Sequence, residues 1–352
     1  MASSKRLSAQ IQAAFLADRK RPCKPARAPI TVAAGARGPY LRRNPGPTRS
    51  AGGIGKRWAG TATVRKGFIT VDHAFTPQGA ALALILVTFA SGACAQDAPI
   101  VLVPHQAVYD LSLAKTRGNS QVAAVRGRIL YDFAGNACEG YTLEFRQVSE
   151  LESGENKQST SDLRSTTWEG ADAKSFKFTS QNFVNENLVD TVDGRAERRP
   201  DETAVNLLKP ERKNLDLDAT VVFPTEHMVR AIAAARAGKS ILDFPVYDGS
   251  ETGQKVFDTL TVIGRKIAPN ERQRDDAAAN DGKLSGVARW PVTISYFDKS
   301  KKAESSEQTP AYAIGFELYE NGISRALVLD YNDFIIAGKL SSLEIKEPKP
   351  CP

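Results

Sequence analysis

Residues 96–352 read as an all-β domain with one main helix, its long antiparallel strands forming a curved sheet or barrel. Three observations predict this. Runs that alternate apolar and polar residues recur along the whole stretch, which is the period of a half-buried strand. One segment, Glu226–Ala237, carries helical periodicity instead. Turn signals fall between the alternating runs, Asn321-Gly322 being the strongest, since both residues tolerate positive φ. No repeat or linker divides the stretch, so one domain is expected.

The chain ahead of this domain has a different character. The chain is formally +7, but residues 1–70 hold fifteen Lys or Arg against the single acid Asp18, and residues 96–352 are net −6. The basic excess therefore lies in the leader, and nucleic-acid binding is not expected of the domain. Residues 1–70 are rich in Arg, Pro, Gly and Ala and lack the periodicity needed to bury a core. They read as a basic tail, a long signal n-region or sequence upstream of the true start codon, with the last preferred. Residues 71–95 read as a secretory signal peptide. The apolar run Ala80–Ala90 leads to Ala93-Cys94-Ala95, an A-x-A site with cleavage between Ala95 and Gln96. A lipoprotein box ending at Cys94 is the runner-up, with Ser91 standing where such boxes place a branched apolar residue. The run is too short to span a bilayer, and no later segment approaches that length. A periplasmic product without a transmembrane segment is expected.

Along the domain, Ala107–Lys115, Val122–Phe133, Tyr141–Ser149 and Ser175–Val184 keep the period of two. A polar strand ends at Trp168, and Asp193-Gly194 marks a hairpin. Thr225 is placed to cap the helix, Glu226 suits its positive end, and Gly238 can take the left-handed conformation after it. Met228, Ile232 and Ala235 give that helix one apolar face. Beyond it, Val256–Ile267, Val287–Phe297, Tyr312–Tyr319, Ile323–Leu329 and Ile335–Ile345 read as strands. The polar stretches Pro269–Lys283 and Asp298–Thr309 read as solvated hairpin loops.

The exported chain has two cysteines, Cys138 and Cys351. In an oxidising compartment they are most simply one disulfide. Neither belongs to a C-x-x-C pair nor has a neighbouring His, so a redox or nucleophilic role is the weaker reading. The catalytic motifs are absent: H-E-x-x-H, Walker loop, G-x-G-x-x-G and G-x-S-x-G are not found. No catalytic residue, metal site or cofactor is assigned. The most suggestive polar residues are Asp248, Ser250 and Glu251, with His227 on the helix. Asp248 and Glu251 suit acid–base work or a cation, against a tight turn built by Asp248 and Gly249. His227 reads most simply as a polar first-turn residue, and Trp168 and Trp290 as packing residues.

The segments Leu102–Asp110, Gly127–Phe133, Ala137–Tyr141, Phe223–His227 and Phe244–Glu251 together resemble the EipB family of Gram-negative cell-envelope integrity proteins. The resemblance spans essentially all of 96–352. It implies a β-spiral, a long sheet curled into an open barrel-like shape with a helix, and a disulfide at Cys138 and Cys351. It also implies a periplasmic role in envelope integrity under stress and a functional link to a tetratricopeptide-repeat protein. It carries over no catalytic residues. The expected function is a non-enzymatic binding protein whose curved sheet holds a partner protein, a lipoprotein segment or an apolar ligand. A soluble lipid or lipoprotein carrier is the alternative, and a hydrolase acting on peptidoglycan or lipid through Asp248, Glu251 and His227 is the third reading.

Overall fold

The computed structural model describes residues 99–351, apart from 155–156, 270, 272–275 and 300–307. Fourteen strands form a single antiparallel sheet. Its first half is a meander: β1 (His105–Thr116), β2 (Val122–Asn136), β3 (Gly140–Ser153), β4 (Lys157–Glu169), β5 (Ser175–Val184), β6 (Asn187–Arg198), β7 (Glu202–Lys209) and β8 (Lys213–Asp218). The helix α1 (Pro224–Arg236) follows. The second meander is β9 (Ile241–Val246), β10 (Phe257–Ile263), β11 (Arg289–Asp298), β12 (Tyr312–Tyr319), β13 (Ser324–Asp330) and β14 (Phe334–Ile345).

The two meanders are joined by pairing β1 with β14, from His105 opposite Ile345 to Thr116 opposite Phe334. The first and last strands thus lie inside the sheet, and β8 and β9 are its edges. These edges do not pair, so the sheet is not closed into a barrel. One bridge approaches closure: Val222, just past β8, runs parallel to Val246 at the end of β9. Pro245 is tolerated because β9 is an edge strand, where a missing N–H breaks no ladder, and its carbonyl accepts the Val222 amide at 2.8 Å.

One face of the sheet carries the core. Along β12, Tyr312, Ile314, Phe316 and Leu318 are buried at every second position. The larger apolar cluster lies beneath α1, which contributes Ala231, Ile232, Ala234 and Ala235. A second cluster gathers Phe176, Phe178 and Leu207 from β5 and β7, with Phe223 ahead of the helix and Tyr247 after β9. Phe223, the residue just before α1, stacks on Phe176 with centroids 5.1 Å apart, so the helix entry is fixed by the second cluster while its body rests on the first.

Two local expectations are corrected, and a third falls mostly outside the described residues. Asp193-Gly194 is not a turn but lies within β6, where the register shifts by a bulge. A Cβ on Gly194 would stand 2.7 Å from the Phe178 ring and 2.9 Å from Leu207, so this glycine serves close packing. The hairpin turns earlier, at Asn185 and Glu186, both with positive φ. The segment Pro269–Lys283 is not simply a solvated loop. It forms short 3-10 turns at Ala277–Asn280 and Gly282–Leu284, with Ala278 and Leu284 in the larger cluster. Asp276 reaches the fully buried Arg325 at 2.7 Å, while Arg289, also buried, bonds Glu317 at 2.9 Å. Most of Asp298–Thr309 lies outside the described residues, but Asp298 itself ends β11 and is buried.

Gly249 is constrained in two ways. Its φ is +64°, and a Cβ there would overlap the Phe178 ring. Gly249→Ala is therefore expected to lower stability by about 2 kcal/mol, from left-handed strain and overpacking together. A urea-unfolding midpoint equal to that of wild type would refute this.

Candidate functional site

The site is the space between α1 and the concave face of the sheet. Pro224 opens the helix, where its missing N–H costs nothing and its fixed φ suits the first turn. The expected cap is corrected: Thr225 lies inside the helix, and the residue preceding it, Phe223, has no side-chain oxygen. The cap comes from β4 instead. The Glu169 carboxylate accepts the Thr225 amide at 2.7 Å and the Glu226 amide at 2.8 Å, satisfying two of the orphan donors at the positive helix end. Glu226 in turn pairs with Arg198 and Arg230, both at 2.6 Å. Glu169 is only 3% exposed. Burial lifts its carboxyl to about 7, against the pull of the two amides and with a further push from the Glu226 charge.

His227 is not a polar surface residue of the first turn. It is 4% exposed and points into the core. Its Nε2 lies 3.0 Å from the Thr261 hydroxyl, and Phe244 meets its ring edge-on. Burial lowers its pKa to about 4, helped by the nearby Arg230 charge and opposed by Glu226. The imidazole is therefore neutral in the folded protein at pH 7.

His227 and Asp248 line the same small cavity, of about 50 Å³, with Tyr131, Phe133, Met228 and Tyr296. A neighbouring cavity of about 30 Å³ shares Tyr131 and is bounded by Tyr109, Phe145 and Ile314. Each has room for little more than a water molecule or two, well below the 300–1,000 Å³ of ligand pockets. The concave face is thus filled by its own aromatic side chains. Tyr296 and Tyr312 stack at 4.4 Å, and burial, with the Asp248 charge added, pushes both phenols up.

The other predicted polar residues are placed as follows. Asp248 Oδ1 accepts the Ser250 amide at 2.8 Å, with Gly249 at positive φ between them, which is the geometry of a tight turn. Ser250 is buried in that turn. Glu251 is held by Lys255 at 2.7 Å, and Lys255 also bonds Asp298 at 2.8 Å. Thus His227 and Asp248 meet one cavity, Glu251 is engaged by a lysine, and the bond His227 makes is to Thr261. Among the described residues, no three His, Cys, Asp or Glu side chains are arranged to hold a metal ion.

Cys138 and Cys351 are bonded, with Cα atoms 5.7 Å apart. The bond ties the turn between β2 and β3 to the tail beyond β14. Ala95 and Gln96 lie outside the described residues. No helix among the described residues is long and apolar enough to cross a membrane. Sequence reading missed Glu169 as a cap because nothing in the polar run before Trp168 points to a helix that starts more than fifty residues later.

Comparison with known proteins agrees with this architecture. A family model described as EipB-like matches residues 96–347. The cell envelope integrity protein EipB of Brucella abortus is 41% identical over 255 residues, covering 72% of this chain and 88% of the relative. A crystal structure from Brucella abortus, described as a beta-barrel-like protein of a domain of unknown function, superimposes with a TM-score of 0.64. It has 40% identity and covers 70% of this chain and 100% of its own. On the extent of these matches, the chain belongs to the EipB-like family.

Proposed function

We propose that the chain is exported to the periplasm, with the signal peptide removed between Ala95 and Gln96, and there helps maintain the cell envelope as a non-enzymatic binding protein. The envelope role is supported by the relative named a cell envelope integrity protein, 41% identical over most of its length. Export is supported by the apolar run and A-x-A site, and by a bond between cysteines 213 residues apart, which suits an oxidising compartment.

The observation that carries the non-enzymatic reading is how the polar residues beneath α1 are used. His227 is neutral and engaged with Thr261, Asp248 closes a turn, and Glu251 pairs with Lys255. These groups hold the scaffold, and a hydrolase would need them converging on an accessible cleft. The filled concave face favours a partner protein or peptide over an enclosed lipid, because the two internal cavities are too small for an acyl chain. A periplasmic tetratricopeptide-repeat protein is the partner class the family resemblance suggests.

The test is complementation. In cells lacking the gene and sensitised to detergent, folded His227→Gln and Glu251→Gln variants should restore resistance as well as wild type. Loss of rescue by a variant that is exported and folded would revive catalysis. N-terminal sequencing of the rescued cells' periplasmic protein should begin at Gln96. Crosslinking in the same cells should trap a tetratricopeptide-repeat partner, and its absence would remove the partner reading.

A further inference from the structure

We infer that the open groove at the C-terminal end of α1 is a binding site for a phosphate-bearing molecule. The groove encloses about 680 Å³ between the helix end, the start of β9 and the end of β10, within the range of small-molecule sites. Four cations line it, Arg236, Lys239, Arg265 and Lys266, against the single acid Glu320. This concentration of positive charge stands on a domain whose residues 96–352 are net −6, so composition alone does not account for it.

The walls are already in place. After α1, the Lys239 amide bonds the Ala234 carbonyl at 2.9 Å and the Gly238 amide bonds Ala235 at 3.1 Å, so these two carbonyls of the last turn are satisfied internally. Ile263 N–H donates to Ser240 at 2.8 Å and Gly264 N–H to Pro291 at 2.7 Å, which fixes the facing wall. Trp290 lies beneath, with Lys266 Nζ 5.6 Å from its ring centroid. Arg236 is oriented by Glu320 at 2.6 Å, while Lys239, Arg265 and Lys266 are exposed and available to a ligand. The Arg265 guanidinium fork and two ammonium groups suit a phosphate, which accepts several charge-assisted bonds at once. A single carboxylate would leave most of these donors unused. The phosphate is either that of a lipid headgroup or that of a free small molecule.

Pyrophosphate and vesicles serve as probes of the chain from Gln96 onward, the form proposed to be exported, so that the basic leader adds no binding of its own. Calorimetric titration should show pyrophosphate binding that weakens at least tenfold in the Lys239→Gln, Arg265→Gln, Lys266→Gln triple variant. Glu320→Gln should tighten it severalfold by removing the competing carboxylate. The triple variant changes only exposed side chains, so its melting midpoint should match wild type. Phosphatidylglycerol vesicles, with phosphatidylcholine as control, separate the sources. Vesicle binding that falls in the triple variant and is competed by pyrophosphate assigns a lipid headgroup. Pyrophosphate binding with no effect of the triple variant on vesicles assigns a free phosphate compound. Equal affinity of wild type and triple variant for both probes overturns the proposal.

Discussion

Replacing Cys138 or Cys351 with serine is expected to lower the free energy of unfolding by about 5 kcal/mol, the chain-entropy value for a loop of this length. The two cysteines are 213 residues apart and both are exposed, so little core packing is lost with either sulfur. What changes is the unfolded chain. The bond spans the seam between β1 and β14, the pairing that closes the longest loop in the sheet. With the disulfide intact, that loop is already closed before the strands meet. Without it, folding must restrict the ends of most of the domain, an entropy that grows only slowly with length but starts large. The tail is also held by Lys346, whose amide bonds the Pro104 carbonyl at 2.9 Å and whose ammonium pairs with Asp132. The bonded tail therefore fits without rearranging the strands. For a domain of this size, the loss corresponds to roughly 10–20 °C in melting midpoint. Either single variant should lose as much as the double variant, because each breaks the same bond. Midpoints that match wild type would show that the oxidised protein gains nothing from the link.

The fold was legible in most of the strands where burial alternates. Val122–Phe133, Tyr312–Tyr319 and Ile335–Ile345 each overlap an observed strand, because one face is core and the other solvent. β7 escaped although its burial alternates; in the other strands that escaped, side-chain polarity or a proline hides the pattern. β6 carries Asp190, Asp193, Arg195, Glu197 and Arg198, and β8 alternates only two leucines with charge. β9 is short and contains proline. The cysteine pair and the turn at Asp248 were readable because their chemistry is local or numerically forced. Glu169, Asp276 and Arg325 were not, since each acquires its meaning from a partner that only the folded sheet brings near. The depth of His227 was hidden for a related reason. Its helical neighbours Glu226 and Arg230 pair with each other, and only the position of Thr261 on β10 reveals which way the ring points.

Those same two hidden residues, Glu169 and His227, are expected to oppose each other in the pH dependence of stability. His227 titrates near 4 when folded and near its ordinary 6.5 when unfolded. Between these values the unfolded chain binds the extra proton, so this residue makes stability rise with pH and fall on acidification. Glu169 titrates near 7 when folded and near 4.5 when unfolded. Over that interval the folded protein holds the extra proton, so this residue makes stability fall as pH rises. From about pH 4.5 to 6.5 both act, each with a slope of roughly 1.4 kcal/mol per pH unit and opposite sign. Glu169→Gln removes one side of the balance. Relative to wild type, this variant should lose about 3 kcal/mol more on going from pH 6.5 to 4.5. His227→Gln should differ from wild type by a similar amount in the other direction. His105, which burial also shifts down, and the surface carboxylates are common to all three proteins and cancel in the differences. Urea unfolding at several pH values measures the slopes, which are independent of any constant loss of stability caused by either substitution. Parallel curves for wild type and Glu169→Gln would mean that the carboxylate is ionised throughout. In that case the two helix amides, and not burial, would set the charge of the group that anchors α1.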